Sequence, residues 1–150
     1  MKNLLKKEKG FTLIEIVLVL AIAGLLLVIV FLAVSGAQKS RRDTQRKNDL
    51  SRIAAQLESY ASNTNGCYPA MAAPCTTVSW NAFSTSTYIT GANLNDPTTG
   101  AGYAYVAWTP TPTTGQVSYQ TGFACDGTVI GRGYRVNMGL EQGVSCRDNK

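Results

Sequence analysis

The stretch that decides the fold lies at the start of the chain, where residues 6–15 read Lys-Lys-Glu-Lys-Gly-Phe-Thr-Leu-Ile-Glu. A short basic leader ends at Gly10, and an almost unbroken apolar run extends from Phe11 to Val34. As a helix with a rise of 1.5 Å per residue this run would be about 36 Å long, and the hydrocarbon core of a bilayer is about 30 Å thick. The run therefore predicts a membrane-spanning helix.

Glu15 is the one charged residue in this apolar run. A carboxylate at the centre of a bilayer costs roughly 3 kcal/mol on insertion scales, so acids in membrane segments usually mark a function and have a partner. Cleavage between Gly10 and Phe11 would create a new α-ammonium on Phe11. In an assembly of packed helices, Glu15 of one copy could pair with the Phe11 ammonium of another copy.

The sequence Gly10-Phe11-Thr12-Leu13-Ile14-Glu15 resembles the cleavage and methylation motif of type IV pilins and type II secretion pseudopilins. The resemblance implies that a membrane prepilin peptidase cuts after Gly10 and N-methylates Phe11. It also implies that Gly10 is needed for cleavage and Glu15 for subunit docking. The resemblance extends to about residue 69, and beyond it only the general layout is similar.

The helix is predicted to continue past the membrane as an amphipathic segment. Apolar residues recur there at three- and four-residue spacing, which is the helical period: Leu50, Ile53, Ala54, Leu57, Tyr60 and Ala61. A cluster of turn-forming residues at 62–66 is expected to end the helix. We therefore predict a leader peptide at residues 1–10, a transmembrane or filament-core helix at 11–36, an amphipathic helix at 37–62 and a globular head at 63–150.

The head is predicted to be rich in β-structure. Aromatic and β-branched residues are dense in three candidate strands, at residues 103–108, 116–124 and 133–140. Residues 109–115 and Asp126-Gly127 suit turns, so three antiparallel strands are expected. The predicted fold class is α+β, with a long N-terminal helix packed on a small antiparallel sheet, a shape that pilins share. Residues 95–100, Asn-Asp-Pro-Thr-Thr-Gly, resemble the loop before the sheet in many pilins and pseudopilins.

All four cysteines lie in the predicted head. An even number in an exported domain favours two disulfides, and three pairings can be drawn. We prefer Cys67–Cys75 and Cys125–Cys146, because each closes a local loop. The chain has no histidine and no Cys-x-x-Cys spacing, so neither a structural zinc site nor any other metal or cofactor is predicted.

Catalysis finds little support in the sequence. Without histidine, neither a Ser-His-Asp nor a Cys-His site can be built, so the chain is not predicted to be an enzyme. The acids of the head are few and scattered and are expected in turns or on the surface: Asp96, Asp126, Glu141 and Asp148. Major pseudopilins bind calcium in a head loop, but Asp96 and Asp126 form too thin a pattern to predict a site. Four aromatic residues are expected in the core rather than stacked on DNA bases: Trp80, Tyr88, Trp108 and Tyr119.

The positive charge of the chain is unevenly distributed. Removal of residues 1–10 takes away four lysines and one glutamate, which lowers the formal charge from +5 to +2. A basic band then follows the apolar run, with six cations against Asp43 and Asp49: Lys39, Arg41, Arg42, Arg46, Lys47 and Arg52. A positive segment on the outer side opposes the positive-inside tendency. The band could lie against anionic headgroups, pair with acids of neighbouring subunits, or form a solvated face with local pairs such as Asp43–Lys47.

We therefore predict a structural subunit of an extracellular, type IV pilus-like homo-oligomeric filament, anchored in the cytoplasmic membrane before assembly. The resemblance implies prepilin peptidase and an assembly machine with a separate ATPase as partners. One alternative is a type II secretion pseudopilin. Another is a soluble binding domain released from a signal peptide by cleavage after Ala37, which would leave Gln38 as the first residue. The sequence does not choose between adhesion, motility and DNA uptake.

Overall fold

A computed structural model describes residues 10–75 and 77–150. They form two compact units, which divide between Gln38 and Lys39. Helix α1 (Leu13–Asn63) contributes to both units. Two short helices and four strands follow it: α2 (Trp80–Ser84), α3 (Thr87–Thr90), β1 (Ala104–Val106), β2 (Gln116–Phe123), β3 (Val129–Leu140) and β4 (Gly143–Asp148). Residues 1–9 of the predicted leader lie outside the described residues.

The first part of α1 is apolar on every side, and residues 10–41 are all exposed. Phe31, for example, exposes 84% of its surface. The best window of α1 has a mean hydropathy of 3.4, and among the described residues α1 is the one helix long and apolar enough to cross a membrane. The helix passes through Gly24 and Gly36 without a break.

The second part of α1 supplies one wall of the core of the head. The predicted amphipathic stripe is confirmed, because Leu50, Ile53 and Leu57 are fully buried and Ala54 packs against the same cluster. The helix ends at Asn63, and the Gly66 N–H donates to the Ala61 carbonyl oxygen at 2.8 Å. Gly66 has a φ of 79°, a conformation that glycine adopts without steric cost.

The long helix and the sheet confirm the α+β fold class, but the sheet differs from the prediction in two respects. Its order is β1-β2-β3-β4, and β1 runs parallel to β2, whereas the other two pairs are antiparallel. The expectation of a purely antiparallel sheet was therefore wrong for the first pair. Strand β4 was missed because Gly-Val-Ser-Cys-Arg-Asp has little apolar character, which an edge strand tolerates.

The segment at residues 107–115, which we call the strap, explains the parallel pairing. Its residues 109–115 were predicted to form a turn, and residues 107 and 108 to end a strand, but the segment crosses one face of the sheet instead of reversing the chain as a hairpin. Two buried polar side chains of that face bind it: the Ser118 hydroxyl donates to the Thr109 carbonyl at 2.7 Å, and the Asn137 amide donates to the Pro110 carbonyl at 3.2 Å. Gly139 follows on the same face, because side chains alternate along a strand.

The opposite face of the sheet packs on α1 and on the short helices through aromatic side chains. Trp80 stacks on Tyr119 with ring centroids 4.4 Å apart, and Tyr68 lies 4.9 Å from Tyr134. Trp80 and Tyr119 are buried, as the core interpretation predicted, and Tyr88 packs against the same cluster. Trp108 belongs to the strap instead, so its predicted place in the core was wrong. It is only half-buried, and the Arg135 guanidinium lies 4.0 Å from the centre of its ring.

Two disulfides link segments of the head. Cys67 joins Cys75 in the connection after α1, and Cys125 joins Cys146 of β4, with Cα–Cα distances of 5.7 Å and 5.9 Å. These are the two pairs that were preferred from the sequence. The second closes a loop of 21 residues, for which loop entropy gives a stabilisation of about 3 kcal/mol.

Substitution of Gly139 by alanine should loosen the strap. A Cβ at this position would overlap the carbonyl groups of Pro112 and Thr113, whereas a Cβ on Gly131 of the same strand would meet nothing within 4 Å. We expect Gly139→Ala to lower the free energy of unfolding by about 1–3 kcal/mol, the usual cost of overpacking. Gly131→Ala should change it by less than about 0.5 kcal/mol.

The measurement is urea denaturation of the detergent-solubilised chain followed by tryptophan fluorescence. Equal stabilities of the two variants would contradict the packing of the strap on Gly139.

Candidate functional site

The N-terminal motif lies at the start of α1. Gly10, Phe11 and Thr12 precede the helix, and the Thr12 carbonyl accepts hydrogen bonds from the N–H groups of Glu15 at 3.2 Å and Ile16 at 3.3 Å. The Thr12 hydroxyl also accepts a bond from the Glu15 N–H at 3.4 Å. Thr12 is therefore the N-cap of α1, and the peptide bond after Gly10 lies outside the helix.

Glu15 occupies the third position of the helix, so Thr12-x-x-Glu15 has the spacing of a capping box. A carboxylate in the first turn also interacts favourably with the positive end of the helix dipole. Sequence reasoning missed this role, although the spacing is visible in the sequence. Of the two bonds of a capping box the structure contains the one from the Glu15 N–H to the Thr12 hydroxyl, so the observed cap is made by Thr12.

The side chains of the motif are open to the surroundings. Phe11 exposes 81% of its surface, Glu15 is exposed, and a Cβ on Gly10 would meet nothing within 4 Å. Within the described part of the chain Glu15 forms no ion pair. The motif is therefore accessible both to an enzyme and to a second copy of the helix.

A second site lies in the head, where the fully buried Arg46 binds acids from three segments. Its guanidinium donates to the Asp43 carboxylate at 3.0 Å, to Glu141 at 3.2 Å and to Asp96 at 2.8 Å. It also donates to the Thr98 hydroxyl at 2.7 Å. We call Arg42, Asp43, Arg46, Asp96 and Glu141 the Arg46 cluster.

The cluster fixes two loops of the head to α1. The Asp43 carboxylate accepts hydrogen bonds from the backbone N–H groups of Glu141 at 2.9 Å and Gln142 at 3.0 Å, which form the turn between β3 and β4. Asp96 accepts from the Thr98 N–H at 2.7 Å within the loop that precedes β1. Arg42 binds Glu141 through two parallel bonds of 2.5 Å and 2.8 Å, the bidentate geometry of strong arginine–carboxylate pairs.

The charges in the cluster shift one another's pKa values. The Arg42 hydrogen bond lowers the pKa of Glu141 to about 2, against a smaller opposing effect of burial. Burial alone would raise the pKa of Asp96, but the hydrogen bonds from Arg46 and from the Thr98 N–H bring it below its ordinary value. Burial likewise opposes the charge of Arg46, and its hydrogen bonds to Asp96, Glu141 and Asp43 raise its pKa nevertheless. Arg46, Asp96 and Glu141 are therefore charged at neutral pH.

These contacts correct two expectations from the sequence. The acids of the head are not all scattered, because Asp96 and Glu141 converge on Arg46. The basic band is not one solvated face, and Asp43 pairs with Arg46 rather than with Lys47. The pairs of Arg46 with Asp96 and Glu141 join residues 50 and 95 positions apart, which spacing along a helix cannot show. The Asp43–Arg46 pair has the i,i+3 spacing of a helix and was visible in the sequence.

The remaining acids are also bound by other groups. Asp126 pairs with Lys150 at 2.5 Å, and Asp148 accepts from the Cys125 N–H at 2.6 Å. Asp96 and Asp126, the two residues considered for calcium, are thus paired with different cations. Over residues 10–75 and 77–150 no three potential metal ligands lie close enough together to hold an ion.

Comparison with known families identifies the N-terminal motif. Residues 5–31 match the family model described as the prokaryotic N-terminal methylation motif. This motif is the class III prepilin signal of type IV pilins and pseudopilins, so the chain carries the signal of that class. The match supports a type IV pilin or pseudopilin precursor, a structural class of protein rather than a known class of enzyme. No curated protein and no solved structure shows a significant match to the chain.

Replacement of Arg46 by methionine should destabilise the head strongly. The substitution would leave Asp43, Asp96 and Glu141 without their shared cation, and removal of one member of a buried ion pair typically costs about 3–5 kcal/mol. Lys47→Met is the matched control, because Lys47 is the exposed neighbour of Arg46 and should change stability by less than about 0.5 kcal/mol. Urea denaturation measures both. If Arg46→Met lowers the free energy of unfolding by less than about 1 kcal/mol, the Arg46 cluster does not stabilise the head more than a surface ion pair would.

The head should lose stability at acidic pH. Because Glu141 and Asp96 have lower pKa values in the folded state than their ordinary values of 4.5 and 3.8, the unfolded state binds more protons in this range. Their contribution is fully present above about pH 4.5 and is lost as the pH falls towards about 2. Urea midpoints measured across this range should fall, and the fall should be shallower for Glu141→Gln. Identical pH profiles for the unmodified chain and Glu141→Gln would exclude Glu141 as a source of the loss of stability at acidic pH.

Proposed function

We propose that this chain is the precursor of a structural subunit of a type IV pilus-like filament. The observation that carries the proposal is an exposed, apolar helix with Glu15 in its first turn. Glu15 lies within the matched methylation motif at residues 5–31. Such a surface requires either lipid or other apolar helices around it, because exposure of this much apolar area to water is strongly unfavourable. The membrane would cover this apolar surface first, and the filament core would cover it after assembly.

The first step in this proposal is insertion of the precursor into the cytoplasmic membrane. A prepilin peptidase would then cut the bond between Gly10 and Phe11, which precedes the helix and does not require it to unwind. The cut leaves an α-ammonium on Phe11, which the same enzyme would methylate. Residues 1–10 are thereby removed as the leader.

Assembly would pair this ammonium with the carboxylate of Glu15 on a neighbouring copy. The contact joins two different surfaces, and head-to-tail contacts that do not close produce helical polymers. Extraction of the helix from the membrane needs energy, which a separate ATPase of the assembly machine would supply. The disulfide-linked heads, residues 63–150 with the adjoining amphipathic helix at 37–62, would then surround a core formed by residues 11–36.

Two alternatives lead to different measurable products. A type II secretion pseudopilin would use the same processing and the same Glu15 contact but a different machine. A soluble binding domain would arise by cleavage after Ala37, and the Arg46 cluster lies entirely beyond that position. The Cys125–Cys146 link and the basic band favour the pilin over the pseudopilin.

Gly10→Val should block processing, because a β-branched side chain before the cut would obstruct the peptidase. The unmodified chain should yield a mature protein that begins with N-methyl-Phe11, and the variant should accumulate in membranes with its leader attached. Mass spectrometry of the N-terminal peptide measures both. A mature chain that begins at Gln38 would favour the soluble domain, and normal processing of the variant would contradict cleavage after Gly10.

Glu15→Leu should leave insertion and cleavage intact but abolish or strongly reduce filament growth. The variant inserts without a charge in the bilayer, but each added subunit would bury the Phe11 ammonium without a partner, at a cost of about 3–5 kcal/mol. The yield of surface filaments at equal amounts of processed subunit is the measurement.

Glu15→Gln and Glu15→Asp separate the charge from the helix cap. Glutamine retains a side chain that suits the third position of a capping box but has no charge. We therefore expect little filament from Glu15→Gln and a partial yield from Glu15→Asp. Normal filaments from Glu15→Gln would show that the capping role, and not the ion pair, is what assembly requires.

A further inference from the structure

The Arg46 cluster divides the basic band into two groups of cations. Arg42 and Arg46 bind acids of the head, and Arg52 bonds to Asp49 at 3.3 Å and to the Ala92 carbonyl at 2.5 Å. The other three are Lys39, Arg41 and Lys47. They are exposed and make no side-chain hydrogen bond or ion pair within residues 10–75 and 77–150.

The acids of the described residues are distributed in the opposite way. Each of the seven carboxylates beyond residue 38 already accepts a bond from another group: Asp43, Asp49, Glu58, Asp96, Asp126, Glu141 and Asp148. Glu15 is the one carboxylate between Gly10 and Lys150 without a side-chain partner in the structure. Apart from Glu15, every such acid of a neighbouring copy would have to accept a further bond to pair with the free cations, which carboxylates can do.

The position of two of the free cations favours an anion from outside the chain. Lys39 and Arg41 follow the last apolar residue of the run, Val34, by only five and seven residues in the same helix. The headgroup layer of a bilayer adds about 5–8 Å on each side of the hydrocarbon core. Long basic side chains at the end of a membrane helix extend readily into that layer.

We propose that Lys39 and Arg41 bind the phosphate groups of anionic lipids in the outer leaflet while the precursor is in the membrane. This proposal rests on the membrane anchoring described under the proposed function and adds a partner to it. It also accounts for the positive segment on the outer side of the span. The cations remain available for lipid because the head uses Arg42 and Arg46 for its own acids.

The test uses the full, uncut chain, purified in detergent and mixed with equal amounts of phosphatidylcholine and phosphatidylglycerol. Native mass spectrometry counts the lipids of each kind that stay bound. We expect the unmodified chain to retain phosphatidylglycerol preferentially. Lys39→Gln/Arg41→Gln should reduce the retained phosphatidylglycerol by about fivefold for each cation removed, the usual effect of one basic residue near an anionic surface.

The matched control is Lys47→Gln/Arg132→Gln, which removes the same charge. Lys47 lies eight residues beyond Lys39 in α1, a rise of about 12 Å, and Arg132 is an exposed residue of β3. Lipid retention by this control variant should equal that of the unmodified chain. Glutamine is a good helix former, so the helical circular dichroism of the Lys39/Arg41 variant should be unchanged.

Three results would overturn the proposal. They are equal retention of the two lipids by the unmodified chain, equal losses in the two double variants, and a loss of duplex DNA binding by Lys39→Gln/Arg41→Gln with unchanged lipid retention. The third would identify a nucleic acid as the partner. Because the test uses the uncut precursor, its outcome is independent of cleavage after Gly10 and of filament growth.

Discussion

A guanidinium can be buried without large cost only where acids neutralise it and acceptors satisfy its N–H groups. Arg46 is completely buried, and its two terminal nitrogens meet this condition through Asp43, Asp96, Glu141 and the Thr98 hydroxyl, whereas its Nε–H has no hydrogen-bond partner within the described residues. These partners come from α1, from the loop before β1 and from the turn after β3. The cluster therefore holds these three segments together, since separating them would leave a buried charge without its partners.

The same helix meets two different environments. Over residues 10–38 most of its side chains are apolar and all are exposed in the described chain, which fits membrane anchoring of the precursor. From Asp43 onward one face is buried against the sheet and the short helices. The two units contain different parts of one continuous α-helix, and the change from one to the other falls at the start of the basic band.

The head combines aromatic packing on one face of the sheet with polar groups that hold the strap on the other face. Ser118 and Asn137 are buried on a sheet face because they hold the strap, and Gly139 lets the strap approach the backbone. The Cys125–Cys146 disulfide ties the edge strand β4 to the end of β2. These features stabilise a small head without requiring a large apolar core.

Features that depend only on neighbouring residues can be predicted before the fold is known. The length of the apolar run, the motif around Gly10 and Glu15, and the amphipathic period after Leu50 are local patterns, and each is visible without the fold. Even so, the capping role of Thr12 was overlooked, although its spacing to Glu15 is equally local. The preference for two disulfides within short loops also followed from spacing.

Which charges are free and how the strands pair depend on the closed fold of the head. Arg42 and Glu141 are 99 residues apart in sequence, so their ion pair depends on the closure of the whole head. The parallel pairing of β1 with β2 likewise depends on the path of the strap over the sheet. Periodicity reports which face of an element is apolar, but it carries no information on which distant residue will lie opposite. For this reason the basic band could be seen in the sequence, whereas its division into bound and free cations could not.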